Sequence, residues 1–205
     1  MGRARRQGRD VALGVVVVVL LCGEVLWGMS PASQSLVNLG ARLFADRSLS
    51  IDGTVACASC HRPELAFADR RAVSQGARGA TGARNAPSLL GAATRAALTW
   101  DGRTKAISDQ VLIAFTHPRE HGLADATELV ARVSGNPEYR AAFSEEFGAT
   151  SITTAQIRTA LTAYVAALNT GTSAYDRWMA GETAAMSAPA QRGLTIFTNA
   201  GGCAE

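Results

Sequence analysis

Cys57, Cys60 and His61 are the residues whose types and spacing point most directly to chemistry. They stand in C-x-x-C-H, the attachment signature of a c-type haem. One short turn can present two thiols to the porphyrin edge, where each forms a thioether with a vinyl group. The same turn brings an imidazole nitrogen to the iron. A bare Cys pair also occurs in redox dithiols and in halves of zinc sites. Zinc closes on four nitrogen or sulfur ligands at paired spacing, and no second Cys/His pair of that kind occurs. A thioredoxin-type dithiol belongs beside a βαβ pattern, and strand signals are scarce here. The histidine directly after the second cysteine favours haem attachment.

The elements that must hold this turn are helical. Leu36, Leu39, Leu43 and Phe44 fall on one helix face. Asp46 to Gly53 is turn-rich. Arg62 to Trp100 is dense in Gly, Ala, Arg and Pro without a sustained period. A loop of that length inside a compact domain tends to be functional, and wrapping a large flat cofactor is sufficient reason for it. Helical character returns at Ile107–Ile113. Asp125, with Glu128 three residues on, opens a helix through Val133. Pro137 suits the first turn of a helix running to Phe147. Thr153 or Thr154 can cap a long helix through Leu168 that stops at Asn169-Thr170-Gly171, and Ser173 to Ala180 reads as a short one. The fold class is all-α with long loops.

The first 33 residues have the order of an export signal. Arg3, Arg5, Arg6 and Arg9 precede an apolar run from Val11 to Cys22, and small residues follow. A span needs about 20 apolar residues, so the leader is either a signal peptide or, extended through Trp27, a membrane anchor. Export agrees with covalent haem attachment and places the body in the periplasm. The leader holds four of the 20 basic and two of the 17 acidic residues, leaving 16 against 15. The body is near neutral, with no warrant for a nucleic-acid partner. Cys22 lies in the leader, two cysteines belong to the motif and Cys203 stands alone, so no disulfide framework is expected.

Gly40-Ala41-Arg42-Leu43-Phe44 precedes the haem motif, and Gly193-Leu194-Thr195-Ile196-Phe197 precedes Cys203-Ala204-Glu205. The shared G-x-x-aliphatic-Phe followed by a cysteine suggests an internal repeat. The expectation is a first domain over 34–183 and the start of a second over 184–205. Cys203 would begin a second haem motif that is incomplete at Glu205.

Several further stretches carry a resemblance: Leu39-Gly40 through Phe44, Phe67-Ala68-Asp69, Gly82-Ala83-Arg84-Asn85-Ala86-Pro87-Ser88-Leu89, Trp100-Asp101-Gly102-Arg103, Gln110 and Pro118-Arg119-Glu120. With C-x-x-C-H they resemble the bacterial di-haem cytochrome c peroxidases, the family that includes the MauG maturases. The resemblance implies a cytochrome c-like haem domain with long loops, followed by a second, here incomplete, cytochrome c-like domain. It implies haem c and calcium as cofactors. Hydrogen peroxide would be the substrate and a small cytochrome c or cupredoxin the electron donor. Membrane contact would come only through an uncleaved leader, and a homodimer is possible. By resemblance His61 ligates the peroxide-reacting haem, Trp100 lies between two haems and Asn85 contributes to calcium. Glu120 is the distal acid, with Gln110 beside it. A carboxylate at that place can carry a proton between the two peroxide oxygens by general acid–base catalysis, and a semi-buried site would raise its pKa.

The sequence departs from the family pattern in three places. The loop histidine that closes the resting haem in many members falls on Ala77, so an open or water-bound iron is expected, as in the MauG-like branch. His121 stands where Met is common. It and His117 are either rim residues, a two-His metal pair or, for His121, a stray sixth ligand; Pro118 argues against a shared helix face. The second haem motif is incomplete, so helix faces for a second domain would be exposed as apolar patches. A protein-oxidising maturase, a single-haem electron carrier and a haem-free remnant are the other readings. The carrier's candidate ligands, Met179 and Met186, lie in no persuasive ligand loop.

Overall fold

The computed structural model describes residues 33–204, in which eight α-helices occur and pairing is confined to isolated β-bridges. The expectations for the leader and for Cys22 lie outside these residues. Helix α1 (Gln34–Ala45) buries Leu39, Leu43 and Phe44 against Ile157, Ala160, Leu161 and Val165 of α6 (Thr154–Ala167). Each large apolar side chain so buried contributes about 1.5–3 kcal/mol. The two helices meet at Gly40. A Cβ there would lie 2.0 Å from the Ala160 carbonyl oxygen and 2.7 Å from Tyr164 Cβ. Glycine is a poor helix residue, but here it alone allows the backbones to touch.

The remaining core comes from α3 (Ile107–Thr116), α4 (Ala126–Gly135) and α5 (Pro137–Phe147), which bury Phe115, Leu129, Val133, Tyr139 and Phe143. Their starts are the expected ones. Asp125 accepts from the amides of Thr127 (2.8 Å) and Glu128 (2.9 Å). Asn136 caps α5, with Pro137 in its first turn, and Gly148 ends it at φ 62°. Between Thr153 and Thr154 the structure selects Thr153, whose hydroxyl accepts from Gln156 N while Gln156 Oε1 accepts from Thr153 N at 2.8 Å.

The haem motif itself forms the one-turn helix α2 (Cys57–Cys60). The aperiodic stretch after it is a series of small closed loops, pinched by the single bridges Arg62↔Ala68, Gln75↔Thr81 and Leu98↔Thr104. After α6 come α7 (Ala174–Met179) and α8 (Ala188–Thr198), and most side chains from Gly171 to Ala204 are exposed. Helix α8 carries the repeated pattern, yet its environment is the opposite of α1's. Leu43 and Phe44 are buried, whereas Ile196 and Phe197 are 60% and 52% exposed, and nothing lies within 4 Å of a Cβ built on Gly193.

This contrast can be measured. Gly40→Ala should destabilise the chain by about 1–3 kcal/mol, the usual effect of overpacking. Gly193→Ala should be neutral or stabilising by up to about 1 kcal/mol. Urea unfolding followed by circular dichroism distinguishes them, and equal effects would contradict the packing described.

Candidate functional site

Cys57, Cys60 and His61 open onto a cavity of about 1040 Å³, at the upper end of the range for ligand sites. Ser59 shapes the start of the turn: its hydroxyl accepts from Ala56 N at 2.9 Å. His61 follows as the C-cap, its amide bonded to the Cys57 carbonyl at 2.9 Å. Its Nδ1 lies 3.0 Å from the Phe67 carbonyl oxygen. A carbonyl only accepts, so Nδ1 carries the proton and Nε2 keeps its lone pair. Burial disfavours the imidazolium and lowers the His61 pKa. Phe44 backs the ring at a centroid distance of 6.5 Å.

The Phe67 carbonyl is aimed by unusual backbone. Ala66 and Phe67 have φ of 55° and 57°, the left-handed region that residues other than glycine seldom occupy. Arg71 ties the same loop to the motif. Its Nε donates to Asp69 at 2.9 Å, Nη1 to Gln75 Oε1 at 2.8 Å, and Nη2 to the Ser59 carbonyl at 3.4 Å. Burial pushes the Cys57 thiol up to about 12 and also raises Cys60, against which Arg71 pulls. Both cysteines are therefore neutral thiols at neutral pH.

Glu120, Gln110 and Trp100 line the same cavity. Burial raises the Glu120 pKa, opposed by His117 and Arg103. Gln110 Oε1 accepts from the buried Thr104 hydroxyl at 2.9 Å, which leaves its amide hydrogens for the cavity. Trp100 donates from Nε1 to the Asn85 carbonyl at 2.8 Å, yet is 63% exposed. Thr99 before it has φ 64°. Asp101 braces that turn by binding Arg84 and Arg103, each at 2.8 Å, and Arg84 first among these partners holds its carboxyl well below the usual range. Asn85 donates from Nδ2 to the carbonyls of Asp69 (2.9 Å) and Arg71 (2.6 Å). Among the described residues no cluster of three His, Cys, Asp or Glu side chains could hold a metal ion. Cys203 is exposed, in the segment after α8.

The structure separates the two histidines. Helix α3 ends at Thr116, and Pro118 leads into a turn, so no helix face is shared. His117 sits at the rim, its Nδ1 accepting from Arg119 N at 3.2 Å. His121 is buried, against Phe115 at 4.6 Å. Its Nδ1 donates to the Ala114 carbonyl (3.2 Å), so Nε2 is the acceptor and takes the Cys57 thiol hydrogen across 3.8 Å. Burial lowers its pKa to about 4. Ala77 is buried, and its amide donates to the Glu120 carbonyl at 2.8 Å. A Cβ on neighbouring Gly76 would lie 2.2 Å from the Arg119 carbonyl oxygen. The loop and the acid's segment are thus fastened together. Sequence reasoning named Phe67 only within the Phe67-Ala68-Asp69 stretch and missed its role, and it missed Arg71, which lies two residues past that stretch, and the contact of His121 with Cys57.

The sequence model of the family described as di-haem cytochrome c peroxidase matches residues 34–184. The chain is similar to the methylamine utilization protein MauG of Methylophilus methylotrophus, with 34% identity over 83% of this chain and 50% of that protein. To the cytochrome c551 peroxidase of Nitrosomonas europaea it is 30% identical, over 84% of this chain and 52% of that one. Among solved structures, a MauG-like protein associated with microbial copper homeostasis matches with a TM-score of 0.73 and 36% identity, covering 82% of this chain and 49% of that one. The chain spans about half the length of the curated relatives it matches.

The Glu120 environment has a consequence for stability. Its raised pKa means that the folded state binds the proton more tightly than the unfolded one. Stability therefore falls as pH rises from the ordinary value of 4.5 through the raised one. Glu120→Gln should be more stable than the parent at neutral pH, with the gain fading below about pH 4. Thermal unfolding across this range checks it; a gain that grows towards acid would contradict it.

Proposed function

The chain belongs to the di-haem cytochrome c peroxidase family, and from that premise we propose that residues 34–183 are the peroxide-reacting haem domain of a periplasmic peroxidase. The observation that carries this reading is one cavity lined by both His61, whose Nδ1 is engaged by the Phe67 carbonyl, and Glu120. Its donor set, two thiols and a tautomer-fixed imidazole, fits haem c in kind and the cavity fits it in size. Bound through Cys57 and Cys60 and ligated by His61, haem c would supply the two-electron chemistry that turns hydrogen peroxide into two waters.

The chain's own residues have separate tasks. His61 offers Nε2, and the Phe67 carbonyl keeps that atom unprotonated. Glu120 takes a proton from one peroxide oxygen and returns it to the other. Gln110 offers amide hydrogens beside it. Arg84, Arg95 and Arg103 line the cavity and suit the carboxylates of a porphyrin. Ala77 supplies no imidazole, and its loop is pinned, so access needs no loop to swing away. Trp100, held but exposed, suits a position that a second haem domain would cover. Helix α8 repeats α1 without its packing and reads as the opening helix of that domain. Asn85 Oδ1 remains for calcium once Nδ2 is engaged, although six to eight oxygens are needed and backbone, water or the second domain would supply the others. A small cytochrome c or cupredoxin provides the electrons.

A MauG-like maturase, oxidising a protein side chain at a distance, is favoured by one observation: Ala77 at the loop-histidine position. The carrier reading loses ground, because among the described residues no methionine lines the cavity.

Co-expression with the haem-attachment machinery tests the proposal. The parent should carry haem that survives a denaturing gel, and Cys57→Ala with Cys60→Ala should not. Glu120→Gln should retain haem but slow the peroxide-driven change in the Soret band by about 10²–10⁴-fold. A parent that binds no haem, or a Glu120→Gln protein as fast as the parent, would refute it. A haem-loaded parent that ignores peroxide would favour the carrier.

A further inference from the structure

We propose that His117 is a positioning residue for Glu120: once charged, it holds the acid ionised at the cavity mouth, ready to take a proton from peroxide as the medium turns acidic. This deepens the peroxidase reading above and rests on it for the task given to Glu120.

The two side chains are brought together by a turn that the sequence His117-Pro118-Arg119-Glu120 favours. Proline suits the second position of a β-turn, where its fixed φ is already the one required. The Glu120 amide donates to the His117 carbonyl at 3.0 Å and closes the turn, and the Gly122 amide donates to the same carbonyl at 3.1 Å. Both ends are anchored. His117 caps α3 by donating its amide to the Ile113 carbonyl at 2.9 Å, and the Glu120 carbonyl accepts from Ala77 N at 2.8 Å. The backbone therefore fixes where the imidazole and the carboxyl start from, and both side chains line the haem cavity.

His117 has two neighbours that ask for opposite protonation states. Its Nδ1 lies 3.2 Å from Arg119 N and 3.8 Å from Glu120 Oε1. An amide N–H only donates, so the contact with Arg119 needs a bare Nδ1 and hence a neutral ring. The charged ring carries a proton on both nitrogens. It has nothing to offer the Arg119 amide and pairs with the carboxylate instead.

The other charged and titratable neighbours of Glu120 among the described residues do not change in this way. Arg103 acts on it from the turn after Trp100 and is itself bound to Asp101 at 2.8 Å; a guanidinium keeps its charge throughout. Cys57 and Cys60 of α2, which sense the Glu120 charge, are neutral thiols. His121, next in the chain, is buried, and burial lowers its pKa to about 4. The Arg119 side chain is exposed. An exposed imidazole gains charge between about pH 8 and pH 5, and His117 is the one at the rim. Burial alone would strip Glu120 of its charge early as pH falls, and His117 opposes that. The carboxylate thus persists to lower pH than its burial would allow.

The test is infrared spectroscopy of the haem-loaded full chain across pH, with Glu120→Gln subtracted to isolate the C=O band of the protonated Glu120 carboxyl. His117→Asn keeps an acceptor for the Arg119 amide but takes no charge. In that variant, referenced to His117→Asn/Glu120→Gln, the band should appear at higher pH than in the parent. The acid limb of the peroxide-driven Soret change should move the same way. Salt at about 1 M, where charges are screened beyond about 3 Å, should move the parent's midpoint more than the variant's. Circular dichroism confirms that the variants fold. Equal midpoints, a shift to lower pH in His117→Asn, or an equal salt effect in both would each overturn the proposal while leaving the haem reading intact. Separated midpoints, with Glu120→Gln as fast towards peroxide as the parent, would show the pairing to be real and the peroxidase reading to fail.

Discussion

The hydrogen bond from His61 Nδ1 to the Phe67 carbonyl is the constraint on which the site turns. An imidazole can ligate a metal only through an unprotonated nitrogen, and which nitrogen that is depends on the partner of the other. Phe67 makes the choice, and burial of the ring reinforces it by disfavouring a second proton. The carbonyl is aimed by two successive left-handed residues, and Arg71 anchors their loop to the motif through Asp69, Gln75 and Ser59. The strain sits beside the imidazole that it orients, and the α1–α6 contact beneath it provides the rigid floor. Phe44 links the two, being part of α1's buried face and the ring behind His61.

The opposite wall is built by different means. Glu120 stands on a turn after α3, and that turn is fastened to the Gly76–Ala77 loop through backbone alone. A side chain at Gly76 would push the loop away from Glu120. Ala77 beside it is buried and donates its amide to the Glu120 carbonyl, so the small side chain and the close loop go together. On the haem reading, the small side chain at 77 would offer the iron no ligand, and the close loop would keep the acid near the cavity.

Most of the helical frame was legible in the sequence because it rests on local signals. The apolar face of Leu39, Leu43 and Phe44, the caps at Asp125 and Thr153, and Pro137 each specify a helix without reference to anything distant. The C-x-x-C-H spacing, which the structure folds into one turn, was equally local. The stretch from Arg62 to Trp100 could be read only as irregular, because its order comes from single bridges and side-chain-to-backbone bonds between distant residues. Nothing in the identities of Ala66, Phe67 or Thr99 announces positive φ, since glycine is the usual marker. His121 could be placed near the pocket by its neighbours, but its burial against Phe115 and its approach to Cys57 depend on how α3 ends. The repeat in α8 was visible as a pattern. Its lack of packing was not, because burial is a property of the partner and not of the motif.

The central physical claim is that His61 alone holds the iron, leaving the side near Glu120 open. Electron paramagnetic resonance of the oxidised, haem-loaded chain tests it most directly. A high-spin signal, with Glu120→Gln remaining high-spin, is the expected result. A low-spin signal of bis-histidine type, with His121 as the second ligand, would contradict it.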